Sequence, residues 1–460
     1  MSFHATIAQL STILGTTSAS LATADLTVVT GITTDTRCLK AGDVFVALRG
    51  ETFDGHAFIN QAAASGAIAA IVDQLWHDAS AASSDISTLM LLPVADTLQA
   101  YQAIAQWWRN QFTMPVIAVT GSVGKTTTKE LIAAVLSQQG AVLKSQANYN
   151  NEIGVPKTLL ELGTEHQFAV VEMGMRARGE IALLTQIVRP TVAVITNVGT
   201  AHIGRLGSEL AIAQAKCELL AEMPSDSIAI LNQDLPLLME TAATVWHGKT
   251  LTYGLDGGDL HGRLTDSETL DVAGWMLPLP LPGRHNALNY LAALAVAKTL
   301  GVDWAPLAQR MAVTLPDGRA QRYELPHDVV LLDETYNAGL ESMLASLHLL
   351  AQTPGTRRIA VLGTMKELGE RSPEFHHRVG VAVRELKLDH LLLLVEEAEA
   401  SAIAAGADPL IAERFSSHVA VVERLQALVQ AGDRILFKAS RAVGLDQVVK
   451  QFRDRQTKKC

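Results

Sequence analysis

The sequence predicts an α/β protein built from three units, each a sheet of largely parallel strands covered by helices. Short β-branched runs alternate with Ala/Leu-rich helical stretches over most of the 460 residues, the pattern that parallel sheets produce. The runs fall into three series, with breaks near Asp96 and at Leu315-Pro316-Asp317-Gly318. At about 150 residues per domain the length also allows about three domains, so the division is read as 1–95, 96–315 and 316–460.

In the first unit the runs 44–48 and 68–72 read as strands, joined by a helix near 58–65. In the second, 116–120, 168–173, 192–197 and 228–232 read as buried strands of one sheet. Helices starting near Thr126, Glu180 and Glu209 fill the gaps, as right-handed crossovers require. In the third, 329–332, 358–362, 391–394 and 434–437 form a second doubly wound series.

Composition excludes several classes of function. Hydrophobic residues make up 48% and charged residues 18%, enough apolar material for several cores and too much for wholesale disorder. Lys+Arg 37 against Asp+Glu 47 leaves a formal charge of -10 with no basic run, which argues against nucleic-acid backbone binding while leaving room for a local anion site. No apolar stretch approaches the roughly 20 residues that span a bilayer, and the N-terminus lacks the features of a secretory signal. Cys38, Cys217 and Cys460 are isolated, forming neither a disulfide framework nor a paired metal-ligand spacing. A cytoplasmic protein is expected.

The sharpest local signal follows the strand 116–120. Gly121, Ser122, Val123, Gly124, Lys125, Thr126 and Thr127 run from that strand into a helix, so loop N–H groups and the helix N-terminus point at one anion. Lys125 would bridge β- and γ-phosphate oxygens, and the Thr126 hydroxyl would ligate the Mg²⁺ between them. The position six before Lys125 is Val119 rather than glycine, so the loop is a short variant of the phosphate-binding pattern.

Ligands of such sheets sit beyond the carboxyl ends of the strands, where Glu172, Asn197 and His202 fall. Glu172 interrupts an apolar strand and suits a Mg²⁺ ligand, since magnesium takes hard oxygen donors. Lys216 stands on a helix among small and apolar residues. It is either a lysine reaching to the surface or a buried one whose neutral amine is available for chemistry.

Together, Gly121 to Thr128, Asn148-Tyr149-Asn150-Asn151-Glu152-Ile153-Gly154-Val155-Pro156, Glu172-Met173-Gly174, Asn197-Val198-Gly199-Thr200-Ala201-His202 and Gly283-Arg284-His285-Asn286-Ala287-Leu288-Asn289 resemble the Mur ligases of peptidoglycan synthesis. The likeness extends over essentially the whole chain. It implies an N-terminal UDP-binding domain, a central P-loop domain and a C-terminal Rossmann-like domain that receives the incoming amine. It also implies ATP, two Mg²⁺, a carbamylated Lys216 holding the second metal, and His202 serving the same metal region. Asn286 and Asn289 would contact adenine, and Arg319 and Asp333 would reach ATP from the C-terminal domain, with Arg322 the alternative arginine.

Asp333-Glu334-Thr335-Tyr336-Asn337-Ala338, Leu362-Gly363-Thr364-Met365-Lys366-Glu367-Leu368-Gly369-Glu370 and Lys438-Ala439-Ser440-Arg441 resemble the member that joins D-alanyl-D-alanine to UDP-N-acetylmuramoyl-tripeptide. The Asp-Asn-Pro-Arg segment usual in the preceding, third-residue-adding enzyme is absent. By the same resemblance Thr36, Arg37, Asp54, His56, Asn148, Asn151, Tyr336 and Asn337 are candidate substrate contacts. Gly339-Leu340, Glu334 and Ala439 depart from the common pattern, the first nearest the expected dipeptide pocket. A monomer is expected. The alternatives are another amide ligase of the superfamily, such as the third-residue-adding or folylpolyglutamate type, and a P-loop binding protein that does not ligate.

Overall fold

The computed structural model describes residues 3–16, 26–80, 89–309 and 311–457; Cys460 lies outside them. Three principal sheets carry the fold, with a short antiparallel pair, Ala5–Thr6 and Val28–Val29, at the start. The N-terminal sheet is all parallel and runs Gly31–Thr33, Asp43–Val46, Ala69–Asp73, Met90–Val94. Its two central strands are the ones legible in the sequence. The helix expected near 58–65 is a 3₁₀ turn, Gly55–Phe58, running into Ile59–Ala64.

The central sheet has nine strands where the sequence reading gave four. From one edge the order is Val142–Lys144, Phe168–Glu172, Val116–Thr120, Val192–Ile195, Ile228–Asn232, Lys249–Gly254, Leu260–Leu264, Thr269–Val272, Trp275–Pro278. The first seven strands are parallel and the last three form an antiparallel meander. The meander escapes the sequence because its residues are half polar, as suits a sheet extension with one wet face. Val116–Thr120 lies inside the sheet between two parallel neighbours, so the loop after it opens above the sheet's carboxyl edge.

In the C-terminal sheet the order is Gln321–Leu325, Val329–Glu334, Arg434–Lys438, Arg358–Gly363, His390–Leu394, Ala412–Arg414; only the first strand is antiparallel. The helix Thr97–Arg109, capped by the Asp96 carboxylate, ties the first two sheets together. Thr97 Oγ1 donates to the Ala47 carbonyl at 3.0 Å and Trp108 Nε1 to the Leu162 carbonyl at 3.1 Å. One apolar cluster reaches all three sheets, from Leu92 and Tyr101 through Val171 to Leu332 and Leu362. No described helix is long and apolar enough to cross a membrane.

Candidate functional site

The loop after Val116–Thr120 turns into the helix Lys125–Leu136 through Gly121 and Gly124, both at positive φ. A Cβ on Gly121 would lie 2.0 Å from Thr196 Oγ1, and one on Gly124 2.7 Å from Asn289 Oδ1, so only glycine fits either position. Asn197 clamps the turn: its Oδ1 accepts from Val123 N–H and its Nδ2 donates to the Val123 carbonyl, both at 2.9 Å. Thr196 Oγ1 donates to the same carbonyl at 2.8 Å, and Ser122 Oγ accepts from Gly199 N–H at 2.9 Å. The loop is therefore fixed by its neighbouring strand's exit before any ligand arrives.

Lys125 curls back over this loop, its Nζ donating to the Gly121 carbonyl at 2.7 Å. Burial holds its ammonium below the usual lysine range, opposed by Glu172 and assisted by Arg319. Glu172 is the last residue of its strand and is buried. Its Oε2 accepts from Thr126 Oγ1 at 2.9 Å and its Oε1 from Asn150 Nδ2 at 2.8 Å. Lys129, on the same helix face as Thr126, stands 3.9 Å from Oε2. Asn150 and Lys129 were not singled out by the sequence reading. The signals were the asparagine run itself and the three-residue step from Thr126.

Lys216 is 1% exposed on the helix Glu209–Glu222 and has no hydrogen bond or ion pair among the described residues. Lys216 is thus buried and does not reach the surface, and burial, reinforced by Lys125, drops its amine well below the usual lysine range. His202 stands at positive φ just before the short helix Ile203–Leu206. Burial pulls its imidazole below the ordinary value, Glu367 opposes, and Lys125 and Lys216 add to the fall. Lys125 is the common neighbour: Glu172 acts on it, and it acts on both His202 and Lys216, so the four lie in a single region rather than scattered.

Helix Arg284–Thr299 brings Asn286 and Asn289 to the side of the loop. Asn289 Oδ1 accepts from Thr128 Oγ1 at 3.2 Å, and Asn289 Nδ2 donates to Asn286 Oδ1 at 3.3 Å. From the C-terminal sheet Arg319 stacks on the Tyr336 ring at 3.8 Å, with its Nε buried and unpaired. Its field reaches Lys125, whereas Arg322 is exposed and pairs with Glu324 at 3.5 Å. Arg319 is the arginine placed toward the loop. Asp333 is buried at its strand end and accepts from Thr335 Oγ1 at 2.6 Å. Asn337 offers its carbonyl to buried Lys438 at 3.2 Å.

The two sheets meet at the His202 loop. His202 Nδ1 bonds the Glu367 carboxylate, Gly204 N–H donates to the Glu367 carbonyl at 3.1 Å, and Glu341 accepts from Thr200 N–H at 2.8 Å. A Cβ on Gly204 would sit 2.6 Å from Gly369 N.

The other candidate substrate residues are occupied locally. Exposed Arg37 pairs with Asp35 at 2.6 Å, beside Thr36. His56 is buried, accepting from Asp73 N–H at Nε2, 2.9 Å, while its Nδ1 meets Asp54. Asn151 Oδ1 accepts from Gly154 N–H at 2.9 Å, and Asn148 is exposed.

The donors fit Mg²⁺ in two different ways. Thr126 and Glu172 are hard oxygens beside the phosphate loop, as a nucleotide-bound Mg²⁺ requires. No group of three His, Cys, Asp or Glu side chains suited to a metal occurs among the described residues. The unpartnered amine of Lys216 becomes an oxygen donor only if modified.

A phosphate loop, a carboxylate at the neighbouring strand end and a third α/β unit in contact with the adjoining His202 loop define a nucleotide-dependent P-loop enzyme. The family model of the Mur ligase middle domain matches residues 119–297, that of the Mur ligase glutamate ligase domain 318–441, and that of the Mur ligase family catalytic domain 28–106. A Synechocystis protein named UDP-N-acetylmuramoyl-tripeptide--D-alanyl-D-alanine ligase is 61% identical, covering 92% of each chain. The crystal structure of MurF from Acinetobacter baumannii matches with a TM-score of 0.86 at 32% identity, covering 98% of this chain and 99% of that one. MurF ligase from Thermotoga maritima in complex with ADP matches at 0.82 and 31%, covering 94% and 98%. The chain belongs to the Mur ligase family.

Proposed function

We propose that this protein is an ATP-dependent amide ligase that adds D-alanyl-D-alanine to the terminal carboxylate of UDP-N-acetylmuramoyl-tripeptide, releasing ADP and phosphate during peptidoglycan precursor synthesis. The observation that carries this reading is the gathering of Glu172, His202 and Lys216 around Lys125, with His202 bonded to Glu367 across the contact between the second and third units. Residues 1–95 would hold the UDP end, 96–315 the ATP, and 316–460 the dipeptide.

A carboxylate resists an amine because it is anionic and lacks a leaving group. The γ-phosphoryl group of ATP moves to the tripeptide carboxylate, and the free amine of the dipeptide attacks the acyl phosphate. A tetrahedral intermediate then expels phosphate. Bound Mg²⁺ supplies charge neutralisation on the phosphate oxygens. The loop N–H groups and Lys125 cradle those oxygens, and fixed charge of this kind is the main source of rate in such chemistry. Thr126 and Glu172 would hold the first Mg²⁺. Lys216, buried and without a hydrogen-bond partner, its amine held well below the usual lysine range by burial, would add CO₂ and lose a proton, and the resulting carbamate would hold the second beside His202. Asn286 and Asn289 would line the adenine, and Arg319 and Asp333 would approach from the third unit. Thr36, Arg37, Asp54, His56, Asn148 and Asn151 serve the UDP-tripeptide side, His56 by holding the Asp54 loop, while Tyr336 and Asn337 serve the dipeptide.

Closure of the third unit over the loop is part of this reading, since His202 reaches its Glu367 partner only across that contact. The protein would work in the cytoplasm as a monomer. Phosphate release by purified protein, measured with each substrate omitted in turn, tests the assignment. It should require the UDP-tripeptide and D-alanyl-D-alanine together; ATP turnover indifferent to both would identify a non-ligating nucleotide-binding protein.

A further inference from the structure

Lys129 has no part in the reading above, yet it is the most deeply buried cation near the loop, with no exposed side-chain surface. A dry ammonium persists only if its charge and its hydrogen-bond donors are met. Its Nζ donates to the Ser145 carbonyl at 2.6 Å and lies 3.0 Å from Glu130 Oε1. Glu130 turns its other oxygen to Lys144. The Ser145 that receives Lys129 through its carbonyl also accepts from Glu172 N–H through its hydroxyl at 3.0 Å. Both ends of Glu172 are thus reached from the Lys129 cluster: the backbone through Ser145, and the carboxylate across 3.9 Å.

That spacing matters. Thr126 and Asn150 touch the Glu172 oxygens at 2.9 and 2.8 Å, whereas Lys129 stays about one ångström further out because Glu130 and Ser145 hold it there. At such a distance an ammonium in a dry site still supplies counter-charge, but it does not take up the lone pairs a metal needs.

We propose that Lys129 is a positioning residue for Glu172. It keeps the buried carboxylate aimed at the nucleotide's divalent cation, and Glu130 restrains it from pairing with Glu172 directly. The inference rests on Glu172 being the metal-holding carboxylate of the proposed ligase site.

Mn²⁺ as the probe, followed by paramagnetic resonance with the full-length protein and ADP, tests it without recourse to turnover. Loss of a residue that orients a metal ligand costs on the order of tenfold to a hundredfold in metal affinity. Lys129→Met should therefore weaken Mn²⁺ by at least about tenfold while leaving the affinity for UDP-tripeptide unchanged, and Lys129→Arg should restore most of the loss. Glu130→Gln, which leaves Lys129 in place but free to pair with Glu172, should also weaken Mn²⁺. Wild-type Mn²⁺ affinity in either Lys129→Met or Glu130→Gln would overturn the proposal. So would a parallel loss of Mn²⁺ affinity, UDP-tripeptide affinity and thermal midpoint, the mark of a purely structural lysine. If Lys129→Met does not fold, Glu130→Gln decides alone. Failure of the wild type itself to bind Mn²⁺ with ADP would overturn the site reading, and this inference with it.

Discussion

The phosphate loop and the candidate UDP loops of the first unit are built on opposite principles. Around Lys125 the polar groups are buried or half-buried and bonded between different strands, loops and helices: Asn197 to Val123, Thr126 and Asn150 to Glu172, Asn289 to Thr128. In the first unit Arg37 reaches only Asp35, two residues away, and Asp54 is spent on His56 and Arg49. The first arrangement is preorganised for charge that develops during reaction, whereas the second holds loop shape and leaves its basic group in water. Substitutions in the two regions should therefore act on different kinetic constants.

Lys125→Ala strikes the preorganised side hardest. Removing the charge proposed to serve the transferring oxygens should lower kcat by about 10³-fold with little change in UDP-tripeptide affinity; a loss confined to KM would contradict the comparison. Lys216→Ala comes next, with a fall of about 10²-fold that acetate or formate partly restores by standing in for the oxygens of the proposed carbamate. Full activity without rescue would make the lysine structural.

A third test concerns stability rather than rate, at the contact between the second and third units. Burial, aided by Lys438, lowers the His285 imidazole from 6.5 to about 4. Below pH 6.5 the unfolded chain takes up a proton that the folded one refuses until about pH 4, so stability falls as pH drops through that window and is untouched by His285 above it. His285→Gln should flatten the fall in thermal midpoint between those values. An unchanged slope would mean the imidazole titrates normally. Arg37→Ala should do least, raising KM for UDP-tripeptide a few-fold without lowering kcat, because an exposed arginine paired to its neighbour orders little else. A collapse of kcat would place that loop on the preorganised side.

The loop, its strand and Glu172 were legible because each breaks a local rule: glycines where a helix should start, and a carboxylate in an apolar strand. The inner parallel strands were legible as β-branched runs, but the parallel strand Lys249–Gly254 and the meander from Leu260 to Pro278 were not, since their residues are half polar and alternate irregularly. The burial of Lys216 was undecidable from a helix whose neighbours are apolar on every side. Asn150 and Lys129 were hidden for another reason: their roles depend on which strand lies beside the helix. Nothing in the sequence says that Asn150 and Glu172, 22 positions apart, are in contact. The contacts of Glu341 and Glu367 with the His202 loop span 141 and 165 residues and required coordinates.

In the proposed reaction the phosphate loop and its carboxylate help move the γ-phosphoryl group onto the tripeptide's own carboxylate. Tripeptide labelled with ¹⁸O in that carboxylate should deliver one labelled oxygen to the released phosphate, read by mass spectrometry, for each amide formed. Amide formation with no label in the phosphate would contradict it.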